Sequence, residues 1–81
     1  MACEAVKKAL LELRVHTELL LSDAQHLKQL VEMLTNMWLS NSLNREHMRQ
    51  AEVYLEHIEK SVKALRKALE DMVTAIERSS A

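Results

Sequence analysis

The chain has 81 residues and contains neither Gly nor Pro. Tight β-turns depend on residues that accept positive φ angles, so this composition argues against a multi-stranded β fold, and its many Leu, Ala, Glu and Lys residues favour helices. The 11 basic and 12 acidic side chains give a net charge of −1, which provides no long-range attraction for nucleic acid.

The first predicted helix covers about residues 3–39. Along it, apolar side chains recur alternately three and four residues apart, with Thr17 as the polar exception. The series is Cys3, Val6, Leu10, Leu13, Thr17, Leu20, Ala24, Leu27, Val31, Leu34 and Trp38. It keeps its phase across Ser22-Asp23, so we expect one unbroken helix. The alternative is a three-helix bundle with a break near 22–23, in which Ser22 and Gln25 form a capping box.

A connector is predicted at about residues 40–44, because the apolar phase of the first helix would place Asn41 and Arg45 in its core. Asn41 can adopt the left-handed conformation that ends a helix when Gly is absent. Ser42 or Asn44 can serve as the N-cap of the next helix, where Glu46 in the first turn suits the helix dipole.

The second predicted helix covers about residues 45–78. Its apolar series follows the same alternation without a polar member: Met48, Ala51, Leu55, Ile58, Val62, Leu65, Leu69, Met72 and Ile76. Two helices of similar length joined by a short connector predict an antiparallel hairpin, so residues 1–81 form a single all-α domain.

The apolar stripe is wider than a two-helix hairpin needs. Further apolar side chains flank it, namely Ala2, Ala9, Leu30, Met37, Tyr54, Ala68 and Ala75. Three apolar positions in seven are typical of a helix with two neighbours, as in a four-helix bundle formed by dimerisation or with a partner. The residues of the predicted oligomer seam are Leu10, Leu13, Leu20, Leu27, Val31, Leu34, Trp38, Leu55, Ile58, Val62, Leu65 and Leu69.

Leu11, Val15 and Leu19 lie four residues apart on the side of the first helix away from this seam. They are a candidate secondary interface for a partner. Alternatively, they form the wall of a three-helix core.

The chain offers little for catalysis. Cys3 is the one cysteine, and a Gly-rich phosphate loop cannot form without Gly. The histidines of each half, His16 with His26 and His47 with His57, are ten residues apart, whereas helical metal sites use ligands three or four apart. We therefore expect no enzyme, metal site or cofactor, with a metal- or small-ligand-binding bundle as the alternative function.

Trp38-Leu39-Ser40, just before the turn of an equal-armed hairpin, resembles the motif of the WXG-type secreted helical hairpins of Gram-positive bacteria. The Gly of that motif is Ser40 here, and the family's aromatic and Ala-Gly-rich surroundings are missing. The resemblance implies a secreted helical hairpin as a third functional hypothesis.

The expected function is a non-enzymatic assembly or adaptor module that associates with itself or with another helical protein. We expect neither nucleic acid nor membrane as a partner, because the charges are balanced and the longest apolar run, Leu19-Leu20-Leu21, is far shorter than the roughly 20 residues that span a bilayer. The lone cysteine and the charged N-terminus predict an intracellular, cytoplasmic location.

Overall fold

The computed structural model describes residues 2–80, and it describes side chains for residues 4–78. Helix α1 spans Ala2–Leu39 and helix α2 spans Arg45–Ser80. The two helices pack against each other, which confirms the predicted all-α helical hairpin. The three-helix alternative is wrong, because α1 continues through Ser22-Asp23 while Leu20 and Leu27 on either side remain half-buried.

The connector reverses the chain without Gly, as predicted. Asn41 has a φ of 59°, the left-handed conformation. The backbone N–H of Ser42 donates to the carbonyl of Met37 at 2.8 Å, and that of Asn41 donates to the carbonyl of Trp38 at 3.1 Å. These two bonds are the Schellman pattern, which satisfies carbonyl groups that the end of a helix would leave unpaired.

Helix α2 begins with a side-chain cap. The backbone N–H of His47 donates to Oδ1 of Asn44 at 3.3 Å, so Asn44 is the N-cap of the two predicted candidates. Glu46 lies in the first turn of α2, where its negative charge suits the helix dipole.

The hairpin is long and thin. Its principal extents are 62 × 15 × 13 Å, and its radius of gyration is 18.3 Å. A compact domain of this length would have a radius of gyration of about 12 Å. The molecule is therefore a rod one helix pair thick, in which most side chains face outward.

The helices meet along what we call the hairpin seam, made of side chains that are buried or half-buried. The members of the hairpin seam on α1 are Val6, Ala9, Leu13, His16, Leu20, Asp23, Leu27, Leu30, Leu34 and Met37, and those on α2 are His47, Ala51, Tyr54, Ile58, Ser61, Leu65, Ala68, Met72 and Ala75. Each set alternates in steps of three and four, as expected for coiled-coil-like packing. Glu12 and Ala64 are half-buried beside this seam. The side chain of Cys3, a member of the predicted series, lies outside the described side chains.

Many side chains in the hairpin seam are small or polar. The most buried ones are Ala9, Leu30, Ser61, Ala68 and Ala75. The Nδ1 atoms of His16 and His47 are buried and have no hydrogen-bond partner. A buried polar atom left unpaired costs about 1–3 kcal/mol. The hairpin seam thus contributes less stability than an all-apolar seam of the same length would.

Candidate functional site

Helix α2 concentrates its exposed apolar residues in one column, that is, at positions seven residues apart. Among its described side chains, seven large apolar ones are exposed, and five of them share this column. The five are Met48, Leu55, Val62, Leu69 and Ile76, which are 41–51% exposed. Residues seven apart lie almost directly above one another on a helix. The side chains therefore form a continuous apolar strip beside the hairpin seam.

Helix α1 has a matching strip in the column next to its own seam residues. Its members are Leu10, Thr17, Ala24, Val31 and Trp38, all of which are exposed. Leu10 and Val31 are about half exposed, and Trp38 is 67% exposed at the connector end of the strip.

The two strips lie on the same side of the hairpin. When each helix is viewed along its axis from the N-terminus to the C-terminus, the strip is rotated away from the hairpin-seam residues in the same direction on both helices. Because the helices run in opposite directions, that common displacement turns both strips toward one side of the pair. Together these ten side chains form one surface, which we call the lateral apolar face.

The register of the helices is defined by a ring contact. His26 stacks on Tyr54, with ring centroids 5.8 Å apart and an interplanar angle of 20°. Equal steps in opposite directions along antiparallel helices keep two residues level. The resulting pairs across the lateral apolar face, level to within one residue, are Leu10 with Leu69, Thr17 with Val62, Ala24 with Leu55, and Val31 with Met48.

Thr17 does not interrupt the apolar character of this face. Its hydroxyl donates to the carbonyls of Leu13, at 2.8 Å, and Arg14, at 2.9 Å, within its own helix. The hydroxyl is thereby satisfied, so covering Thr17 with an apolar neighbour would leave no unpaired donor.

The structure divides the residues of the predicted oligomer seam between two surfaces. Half-buried in the hairpin seam are Leu13, Leu20, Leu27, Leu34, Ile58 and Leu65. Exposed on the lateral apolar face are Leu10, Val31, Trp38, Leu55, Val62 and Leu69. The pattern-based prediction missed His16, Asp23, His47 and Ser61 as seam members because they are polar. Ala9, Leu30, Ala68 and Ala75 flank the predicted apolar series and are buried in the structure. They were the sequence signal for the column of the hairpin seam that contains these polar residues.

Charged residues border the lateral apolar face. On α1 the bordering column contains Lys7, Arg14 and Lys28 and no acidic residue. On α2 it contains the acidic residues Glu52 and Glu59 and also the basic residues Arg45 and Arg66, so that it has no net charge. The two borders thus differ in charge.

The candidate secondary interface is also exposed. Leu11, Val15 and Leu19 are 51–55% exposed on the outer side of α1. They lie away from the lateral apolar face, and no third helix forms over them within the described residues.

The opposite side of the hairpin is mixed in character and carries an open cleft of about 410 Å³. Charged side chains from both helices line it, among them Lys8, Glu12, Lys67 and Asp71, and His16 lines it as well. Over the described residues, no three His, Cys, Asp or Glu side chains are grouped so that they could hold a metal ion.

The remaining histidines and the Trp38-Leu39-Ser40 motif are placed as follows. The ring of His26 stacks on that of Tyr54, and His57 is exposed. Trp38 and Leu39 form the last turn of α1, and the hydroxyl of Ser40 lies 2.9 Å from that of Ser42 in the connector.

Along residues 2–80, no helical stretch has the length and apolarity that crossing a membrane requires. No protein-family model, curated protein or solved structure matches the chain.

Proposed function

We propose that this chain is a non-enzymatic helical assembly or adaptor module, which completes a four-helix bundle by packing with a second helical hairpin, either another copy or a different protein. The observation that carries the proposal is the lateral apolar face. Five large apolar side chains in one column of α2 face the same way as the strip on α1. Large contiguous apolar surfaces on a small protein mark sites of protein association.

The balance between the two surfaces supports the same function. Much of the hairpin seam is small or polar, whereas the adjacent column on α2 is made entirely of Leu, Val, Met and Ile, and the adjacent column on α1 contains Leu10, Val31 and Trp38 besides two smaller residues. In a four-helix bundle each helix has two neighbours, so the most apolar direction of a helix points between them. The apolar direction of both helices here is turned from the seam toward the lateral apolar face.

The test measures the size of the species that contains this chain in extracts of the cells that produce it. A tagged chain should be recovered in a complex of fixed stoichiometry, with itself or another chain, and Leu55→Glu should release it. Leu55 is already 47% exposed in the hairpin, so this change should destabilise the complex, in which Leu55 is covered, much more than the hairpin itself. A wild-type chain that migrates as a free 9.3 kDa hairpin in every extract would contradict the assembly function.

A further inference from the structure

We propose that a second copy of this chain covers the lateral apolar face, related by a two-fold axis parallel to the helices, so that α1 of each copy lies over α2 of the other. This inference rests on the assembly function proposed above and adds the occupant and the packing arrangement. Both connectors then lie at the same end of the bundle, and every helix has antiparallel neighbours.

The exposed area of the hairpin indicates how much cover it requires. The chain exposes 6606 Å², whereas a compact monomer of its mass exposes about 5000 Å². If each copy buried the excess of about 1600 Å², the interface would total about 3200 Å², which lies in the range of permanent dimers. A second hairpin has the length to provide this cover along the whole rod.

Side-chain sizes on the face favour this arrangement. The small residues Thr17 and Ala24 of α1 are level with the larger residues Val62 and Leu55 of α2. A two-fold axis parallel to the helices keeps heights unchanged, so small side chains of each copy lie opposite large side chains of the other. A perpendicular axis would instead place Thr17 against Ala24 of the other copy and leave space between the first helices.

The charged borders are compatible with this arrangement. With α1 over α2, Lys28 of one copy lies level with Glu52 of the other, at both edges of the interface. With α1 over α1, two borders that carry only positive charge would lie side by side, whereas Glu52 of one copy would be level with Arg66 of the other along the second helices. Arg14 is level with Arg66 in the favoured arrangement, but Glu18 lies 3.8 Å from Arg14 and reduces that repulsion.

Sedimentation equilibrium of the purified full chain tests the occupant and the face. We expect a species of twice the 9.3 kDa chain mass. Val62→Glu should raise the dimer dissociation constant roughly 100-fold or more, because a charge would be buried in the interface. The matched control is Val53→Glu, since Val53 is 48% exposed on the other side of the same helix and Val62 is 41% exposed. The control should change the dissociation constant by less than about threefold.

A charge exchange tests the arrangement without placing a charge on the apolar surface. Lys28→Glu should weaken the dimer a few-fold, and adding Glu52→Lys should restore it, because exposed ion pairs contribute modestly. Both residues are exposed, so neither change affects the hairpin seam. If the second change fails to restore association, α1 does not lie over α2 of the other copy.

The outcomes separate this inference from the function on which it rests. A purified chain that stays monomeric, or forms a trimer or tetramer, overturns the two-copy bundle. Equal effects of Val62→Glu and Val53→Glu overturn the choice of face. In either case, a complex recovered from cell extracts would leave the assembly function standing.

Discussion

The two helices of this hairpin have similar lengths but expose their apolar residues differently. On α2, five of the seven exposed large apolar side chains occupy the lateral apolar face. On α1, nine such side chains are exposed among the described residues, and they are distributed over several sides: Leu10, Leu11, Val15, Leu19, Leu21, Val31, Met33, Trp38 and Leu39. Helix α2 is thus apolar on one side, whereas α1 is apolar on most sides.

This difference indicates how many neighbours each helix requires. A helix that is apolar on only one side, like α2, suits the rim of a bundle. A helix that is apolar on several sides, like α1, suits a more enclosed position. A second hairpin on the lateral apolar face would satisfy α2. It would still leave Leu11, Val15 and Leu19 of α1 exposed, so α1 can offer a further surface to a larger assembly.

The largest effect is expected from substitutions that disrupt the packing of the two helices in the hairpin seam. Leu27→Asp on α1 or Ile58→Asp on α2 should destabilise the fold by about 3–5 kcal/mol, because each buries an unpaired charge. Circular dichroism at 222 nm and sedimentation should show loss of helicity together with loss of association. Val53→Asp, on an exposed site, is the control, and a Leu27→Asp chain that stays helical as a monomer would contradict this role of the seam.

The next largest effect concerns the small side chains of the seam. Ala68 is completely buried, so Ala68→Leu should force the helices apart and cost about 1–3 kcal/mol. Ala5→Leu, at an exposed position beside the polar cleft, should change the free energy of unfolding by less than about 0.5 kcal/mol. Urea denaturation of the two variants compares them directly, and equal midpoints would show that close approach at Ala68 is unimportant.

The helices also differ in their caps at the connector. Removing the N-cap of α2 with Asn44→Ala should lower the free energy of unfolding by about 1 kcal/mol, because the N–H of His47 loses its acceptor. Asn44→Ser, which can still cap, should retain most of the stability. Thermal melts at one fixed protein concentration provide the measurement, and equal melting temperatures for both variants would argue against the cap.

The smallest effect is expected on the outer side of α1. Changing Leu11, Val15 and Leu19 together to Gln should leave helicity unchanged and alter the stability of the proposed dimer by less than about 0.5 kcal/mol per residue. In cell extracts the same variant should lose any further partner bound on that side. A purified triple variant that no longer dimerises would show that α1 uses its outer side for self-association instead.

Much of the hairpin itself was predictable from the sequence. The unbroken phase across Ser22-Asp23 predicted the continuity of α1, and the polar residues at 41 and 45 placed the connector. Asn41 and Asn44 have the conformation and the capping role that their side-chain chemistry predicted. These features are local, because each depends on a few neighbouring residues and the helix backbone.

The column that faces the sibling helix was harder to predict. A search for apolar steps of three and four selects the two most apolar columns, and on α1 one of these contains Leu10, Val31 and Trp38. The hairpin seam instead uses the neighbouring column, which contains His16 and Asp23. Only the position of α2 distinguishes these columns, and that position reflects close packing at small residues such as Ala9 and Ala68 as well as apolarity.

The reversal at Asn41 has a consequence for how the rod forms. Near the connector, facing residues are separated by a few positions in the chain, whereas at the far end almost the whole chain lies between them. Joining distant segments costs more chain entropy than joining close ones. The two helices should therefore pair first near the connector and then progressively toward the far end of the rod. The amide hydrogens at that far end should exchange with solvent first.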